Sequence, residues 1–129
     1  MIDLDLQSQR AAQRIAEDCK ATPRETLEGV ATKTLGVLQE NGVYAAMLYT
    51  FTRTDKKQKP AADSIRKGLL EMAGDLKLKS APPSGNATAV LGYLTESVCN
   101  ELDRMLLVKQ VWEQTLIYTR FTAKAEKRS

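Results

Sequence analysis

Histidine is absent from this chain of 129 residues. Its absence excludes Ser-His and Cys-His nucleophilic catalysis, imidazole acid–base chemistry and every imidazole metal site. Cysteine is almost as scarce, with Cys19 and Cys99 far apart and no second thiol beside either. A zinc site needs about four ligands, so two isolated thiols cannot build one. Neither their spacing nor an oxidising compartment argues for a disulfide, and buried structural thiols are the plainer reading. Glycine is never arranged as Gly-x-x-x-x-Gly-Lys or Gly-x-Gly-x-x-Gly, which removes the common phosphate-cradling loops. The uncharged stretch Asn41–Thr52 is too short to span a membrane and contains polar residues. The acidic start Met1-Ile2-Asp3-Leu4-Asp5 lacks the basic-then-apolar order of a secretory signal. A soluble, cytoplasmic protein with no membrane partner is the expectation.

What is present is an ordinary globular composition, 43% hydrophobic and 27% charged, with 19 basic against 16 acidic residues. Apolar spacing is helical nearly throughout. Leu4, Ala11, Ile15 and Cys19 form one stripe, with Ala12 beside it. Thr22-Pro23-Arg24-Glu25 reads as a helix start, Thr22 capping, Pro23 in the first turn and Glu25 completing a capping box. The helix that follows buries Leu27, Val30, Ala31, Thr34 and Leu38, and Asn41-Gly42 ends it. Val43–Thr52 fits either a helix or a strand by residue type; with no partner strand elsewhere, a short helix is expected. Residues 53–59 read as a polar loop. Pro60 opens the next helix, with Ala62, Ile65, Leu69, Met72, Ala73 and Leu76 on its core side.

Ser80-Ala81-Pro82-Pro83-Ser84-Gly85-Asn86 excludes regular structure and reads as a loop within one domain. A helix bearing Val90, Leu91 and Leu94 follows, with a bend expected in Thr95–Asn100. The long last helix places Leu102, Met105, Trp112 and Leu116 on one side. Leu107, Val111 and Tyr118 lie nearly opposite, with Phe121 close by. Such a helix is either central in its bundle or offers Leu107, Val111 and Tyr118 to another subunit. The fold class is therefore all-α: a compact single-domain bundle of about five to six helices over residues 1–129.

Glu17-Asp18, Glu25-Glu28 and Glu101-Asp103 read as solvated helix charge, with no catalytic partner implied by spacing, and no enzyme or cofactor is expected. Charge divided by segment says more. Residues 1–52 carry five basic and seven acidic groups, whereas residues 53–79 carry eight and four. Arg53, Lys56, Lys57, Lys59, Arg66 and Lys67 fall in that middle segment, and such a cluster attracts phosphates without reading sequence. Arg10 and Arg14, one turn apart, are placed to join a basic surface. Lys124, Lys127 and Arg128 read as a frayed, solvated end, and Trp112 as a core residue.

The order of several short elements resembles a known family. Gln9-Arg10-Ala11-Ala12 on a first helix is followed by a helix ending Gly36-Val37-Leu38-Gln39-Glu40-Asn41-Gly42. Next comes the apolar helix Val43-Tyr44-Ala45-Ala46-Met47-Leu48, and Arg120-Phe121 stands near the end of a long last helix. This order is similar to the small subunit of type III-B CRISPR RNA-guided effector (Cmr) complexes. Ile117 and Tyr118 stand where that family usually has a tryptophan. The resemblance implies a non-catalytic subunit in antiviral defence. Copies of it would stack with neighbouring copies of itself against the backbone and large subunits, and help hold guide RNA and target RNA. Contact would be to phosphates, because the guide alone reads bases. On that reading the candidates for RNA-backbone binding are Arg10, Arg14, Lys33, Lys56, Lys57, Arg66, Lys67 and Arg120. The rival reading is a helical protein-interaction adaptor with no nucleic acid partner, docking through Leu107, Val111 and Tyr118. A DNA-binding regulator is disfavoured, since no helix combines a basic face with well-placed Asn or Gln.

Overall fold

The computed structural model describes residues 3–76 and 86–127. Among these residues the protein is a compact bundle of six α-helices with no strand. The proline-rich stretch expected as a loop lies outside the described residues, apart from Asn86.

Helix α1 (Leu4–Asp18) starts where the Asp3 carboxylate accepts the Leu6 amide at 3.0 Å. Its inward stripe is Ala11, Ala12, Ile15 and Ala16, continuing to Cys19. Helix α2 (Arg24–Asn41) begins where the sequence places it, but by a different device. No side chain caps it, Thr22 is buried, and the carbonyl of Pro23 accepts from the amides of Thr26 and Leu27. The expected Thr22–Glu25 capping box is therefore not formed. The carbonyl of Thr22 is instead held by the Arg24 guanidinium, which also reaches the carbonyls of Ala16 and Cys19. Arg24 thus satisfies the open C-terminal end of α1.

Gly42 joins α2 to α3 (Val43–Thr52) without a loop. At φ 95° it adopts a conformation that L side chains avoid. Its amide donates to Leu38 O at 2.9 Å and its carbonyl accepts from Ala46, so one residue closes α2 and opens α3. The ambiguous Val43–Thr52 segment is thus a helix, burying Val43, Ala46, Met47 and Thr50. The Thr50 hydroxyl donates to Met47 O at 2.7 Å, which lets a buried threonine sit in a helix. Thr34, Thr115 and Thr119 use the same device one turn back.

Helix α4 (Lys59–Asp75), with Pro60 in its first turn, crosses α1 at close range. The Ser64 hydroxyl donates to Ile15 O at 2.8 Å. A β-carbon added at Gly68 would stand 2.5 Å from Ile15, so the crossing depends on glycine there. Helix α5 (Ala87–Tyr93) is capped by Asn86, whose side chain accepts the Ala89 amide. It runs into a single π turn at Leu94–Val98, closed by a 2.7 Å bond from the Cys99 amide to Leu94 O. That turn and residues 99–101 form the bend expected in Thr95–Asn100.

Helix α6 (Leu102–Glu126) packs chiefly on α1 and α2 and carries the centre of the core. Trp112 is fully buried and donates its indole N–H to Leu69 O at 2.8 Å. Of the two arrangements open for this helix, the central one holds over most of its length. Val111 is only 2% exposed, packed with Val108, Trp112 and Leu116, and is therefore not a subunit-facing residue. Tyr118 is half-buried and donates its hydroxyl to Asp5 of α1. Leu107 stays exposed, beside Leu102 and Leu106 on the first turns of the helix, where Val108 is buried and Met105 packs against the core. Leu102 is 64% exposed, although the sequence groups it with core residues.

Candidate nucleic-acid interface

The fold gathers six of the eight candidate cations at two clefts or beside one of them. The larger cleft, about 500 Å³, lies between α1 and α4. Ile15, Ser64 and Gly68 line it where the two helices touch. Arg10 and Arg14 border it from α1 and Lys67 from α4. Three carboxylates share the same border: Glu17, Asp18 and Glu71. Arg14 lies 3.5 Å from Glu71, and Lys67 3.9 Å from Asp18. Both pairs are well exposed, so each contributes roughly 0–1 kcal/mol and yields readily to another anion. Arg10 makes no ion pair among the described residues. Charge around this cleft is therefore balanced, and its bottom is apolar.

The second cleft, about 280 Å³, lies between α2 and the turn leading into α4. Asp55 builds that turn: its side chain accepts the Gln58 amide at 3.1 Å and its carbonyl accepts the Lys59 amide at 2.9 Å. Lys57 is thereby brought to the same cleft as Lys33 of α2, with Glu25, Thr26 and Gln58 also lining it. Lys56 is exposed on the same turn. Among the described residues no carboxylate pairs with Lys33, Lys56 or Lys57. The side-chain oxygen of Gln58 is buried here without a partner. This cleft carries excess positive charge, the better arrangement for an anionic ligand.

Arg66 does not join either cleft. Its side chain is only 15% exposed, paired with Asp63, hydrogen-bonded to Thr50 O and stacked 4.1 Å over the Phe51 ring. It ties α4 to α3, so its donors are committed within the fold. Burial alone pushes the Asp63 carboxyl up, but hydrogen bonds from Lys59 and Arg66 outweigh it and hold the group below its ordinary range. Arg120 stands elsewhere, on α6, with its guanidinium 5.1 Å from the Phe121 ring.

The C-terminal end of α6 differs from its sequence reading. It is not frayed: Glu126 pairs with Arg24 at 2.7 Å and Lys127 with Glu28 at 3.0 Å, both partners lying on α2. The Lys127 hydrogen bond holds the Glu28 carboxyl below its ordinary range, aided by the charges of Lys124 and Arg120. No local spacing could reveal these pairs, since their members stand about a hundred positions apart. Arg128 lies outside the described residues.

Both cysteines are free. Cys19 is buried and its thiol donates to Ile15 O, and burial pushes both thiols up, which disfavours the reactive thiolate. Among the described residues no cluster of acidic residues and cysteines could hold a metal ion, and no helix is long and apolar enough to cross a membrane. Set beside known proteins, the chain matches no family model, no curated protein and no solved structure.

Proposed function

We propose that the protein is a non-catalytic helical subunit of a type III-B CRISPR effector ribonucleoprotein, acting in antiviral defence by helping to hold guide and target RNA through sequence-independent backbone contacts. The observation that carries this reading is the α2–turn cleft, where Lys33 and Lys57 meet beside Lys56 with no paired carboxylate. Cations left unpaired by the protein are those that can neutralise phosphates and release their counterions. Arg10, Arg14 and Lys67 add a second, weaker contact, since an arriving phosphate must first displace Glu71 or Asp18. The family resemblance, carried by short motifs in the right order, supplies the assembly; the clefts supply the chemistry.

The exposed ridge Leu102, Leu106 and Leu107 favours protein partners as well, whether the backbone and large subunits, neighbouring copies, or the unrelated partner of a helical adaptor. A tagged pull-down from the native host, with mass spectrometry of proteins and sequencing of bound RNA, separates these readings. Large and backbone subunits recovered with short guide RNAs sharing a constant 5′ tag are the expected result. Unrelated protein partners without RNA would replace the effector reading with the adaptor.

A further inference from the structure

Phe121 is the most exposed aromatic ring among the described residues, at 53%. Exposing that much apolar ring is unfavourable by itself, and nothing in the bundle requires it: the core of α6 is complete with Val111, Trp112, Leu116 and Ala123. The ring is not isolated. The Arg120 guanidinium lies 5.1 Å from its centre, and Lys124 stands exposed one turn further on. Neither cation forms an ion pair among the described residues. Glu28, whose carboxyl their charges help to hold below its ordinary range, is engaged by Lys127 at 3.0 Å. The other aromatics lack this combination. Trp112 and Tyr93 are buried, Phe51 packs partly against the core beneath Arg66, and the Tyr118 hydroxyl is held by Asp5. Tyr49 has Arg53 5.0 Å from its ring centre but is only partly exposed, and Tyr44 has no cation over its ring.

We propose that Phe121, flanked by Arg120 and Lys124, is a stacking platform for an unpaired base of single-stranded RNA. An open aromatic face binds any base, and adjacent cations hold the phosphates on either side, so the site needs no sequence preference. This rests on the RNA reading above and adds to it: that reading contacts only backbone, whereas this site contacts a base. It also gives the Arg120-Phe121 pair a chemical reason to stand together.

The test uses the full chain and two fluorescent probes, a short oligouridylate and an abasic ribose–phosphate oligomer of equal length, followed by anisotropy. Wild type should prefer the oligouridylate, and Phe121→Leu should lose about tenfold on it while leaving the abasic probe unchanged. Phe121→Trp should retain affinity and show quenching by oligouridylate, against a constant signal from buried Trp112. That quenching keeps the test decisive if the leucine variant melts early. Wild type binding both probes equally, or Phe121→Leu weakening both equally, overturns the platform and leaves the backbone reading standing. Wild type binding neither probe overturns both. A leucine variant that keeps its RNA affinity but releases co-purifying subunits assigns Phe121 to a protein contact, and the inference fails.

Discussion

The two clefts are built from similar residue types and differ in what surrounds the cations. Between α1 and α4, Arg10, Arg14 and Lys67 share a border with Glu17, Asp18 and Glu71 above an apolar bottom. Between α2 and the turn, Lys33 and Lys57 face a single lining carboxylate, Glu25, and neither is paired with it. The first arrangement belongs to a helix crossing whose charged edges stabilise it a little. The second leaves its charge for something outside the bundle. A count of basic residues along the chain does not separate these cases, because what matters is which carboxylates the fold brings alongside. Arg66 makes the same point: it belongs to the most basic segment, yet its guanidinium is occupied within the protein.

The largest expected effect comes from breaking the first cleft at its base. Gly68→Val places branched carbons where Ile15 already stands 2.5 Å from an added β-carbon, and Ile15 is buried. Ile15 can turn aside only by displacing core neighbours, so the variant should lose about 2–3 kcal/mol of stability by urea denaturation. Gly29→Val provides the contrast. It lines the second cleft with open space around its missing side chain, and should lose no more than about 1 kcal/mol. Equal losses in the two variants would remove the structural distinction between the clefts.

Most of the fold was legible in the sequence because helical stripes report burial directly. Of the inward residues expected for α1, α2 and α4, all but Leu4 and Leu76, which are partly buried, are buried, and Gly42 ends α2 as a glycine turn should. The interface was less legible, for reasons visible at particular residues. Val111 and Leu107 lie on the same side of α6 by spacing, yet one is core and the other exposed, because which part of that side is covered depends on tertiary packing, not on spacing along the helix. Thr22 looks like a cap in sequence, but Arg24 takes its carbonyl and Pro23 takes the capping position. The pairs Arg24–Glu126 and Lys127–Glu28 are tertiary and leave no local signature.

A smaller effect sharpens the electrostatic half of the comparison. Replacing Lys33, Lys56 and Lys57 together by glutamine should weaken single-stranded RNA binding about tenfold at moderate salt. It should also flatten the dependence on salt by roughly two in logarithmic slope, at about 0.7 per phosphate contact. The matching triple change at Arg10, Arg14 and Lys67 should do less, because Arg14 and Lys67 are already partly neutralised by Glu71 and Asp18. Binding measured across a salt series decides between them. Identical slopes for both triples would mean that ion pairing within the bundle does not govern which cations reach RNA.

The smallest effect concerns Asp63, which stands on α4 between Lys59, next to one cleft, and Ser64, which lines the other. Its carboxyl lies below the ordinary value of 3.8 because Lys59 and Arg66 together outweigh its partial burial. A carboxyl that is more acidic in the folded state stabilises the fold above its unfolded pKa, and that contribution disappears as pH falls through the lower, folded value. Asp63 remains partly exposed, so solvent screening limits the contribution to about 0.5 kcal/mol. Asp63→Asn should therefore lower the urea midpoint slightly at pH 7, with the difference from wild type closing as both are acidified below the ordinary value. Over the same range wild type should gain affinity for RNA relative to the variant, because protonation releases Lys59, which the asparagine has already released at every pH. If the two proteins instead keep a constant ratio of affinities on acidification, Asp63 does not restrain Lys59, and the division between committed and available charge lies elsewhere in the bundle.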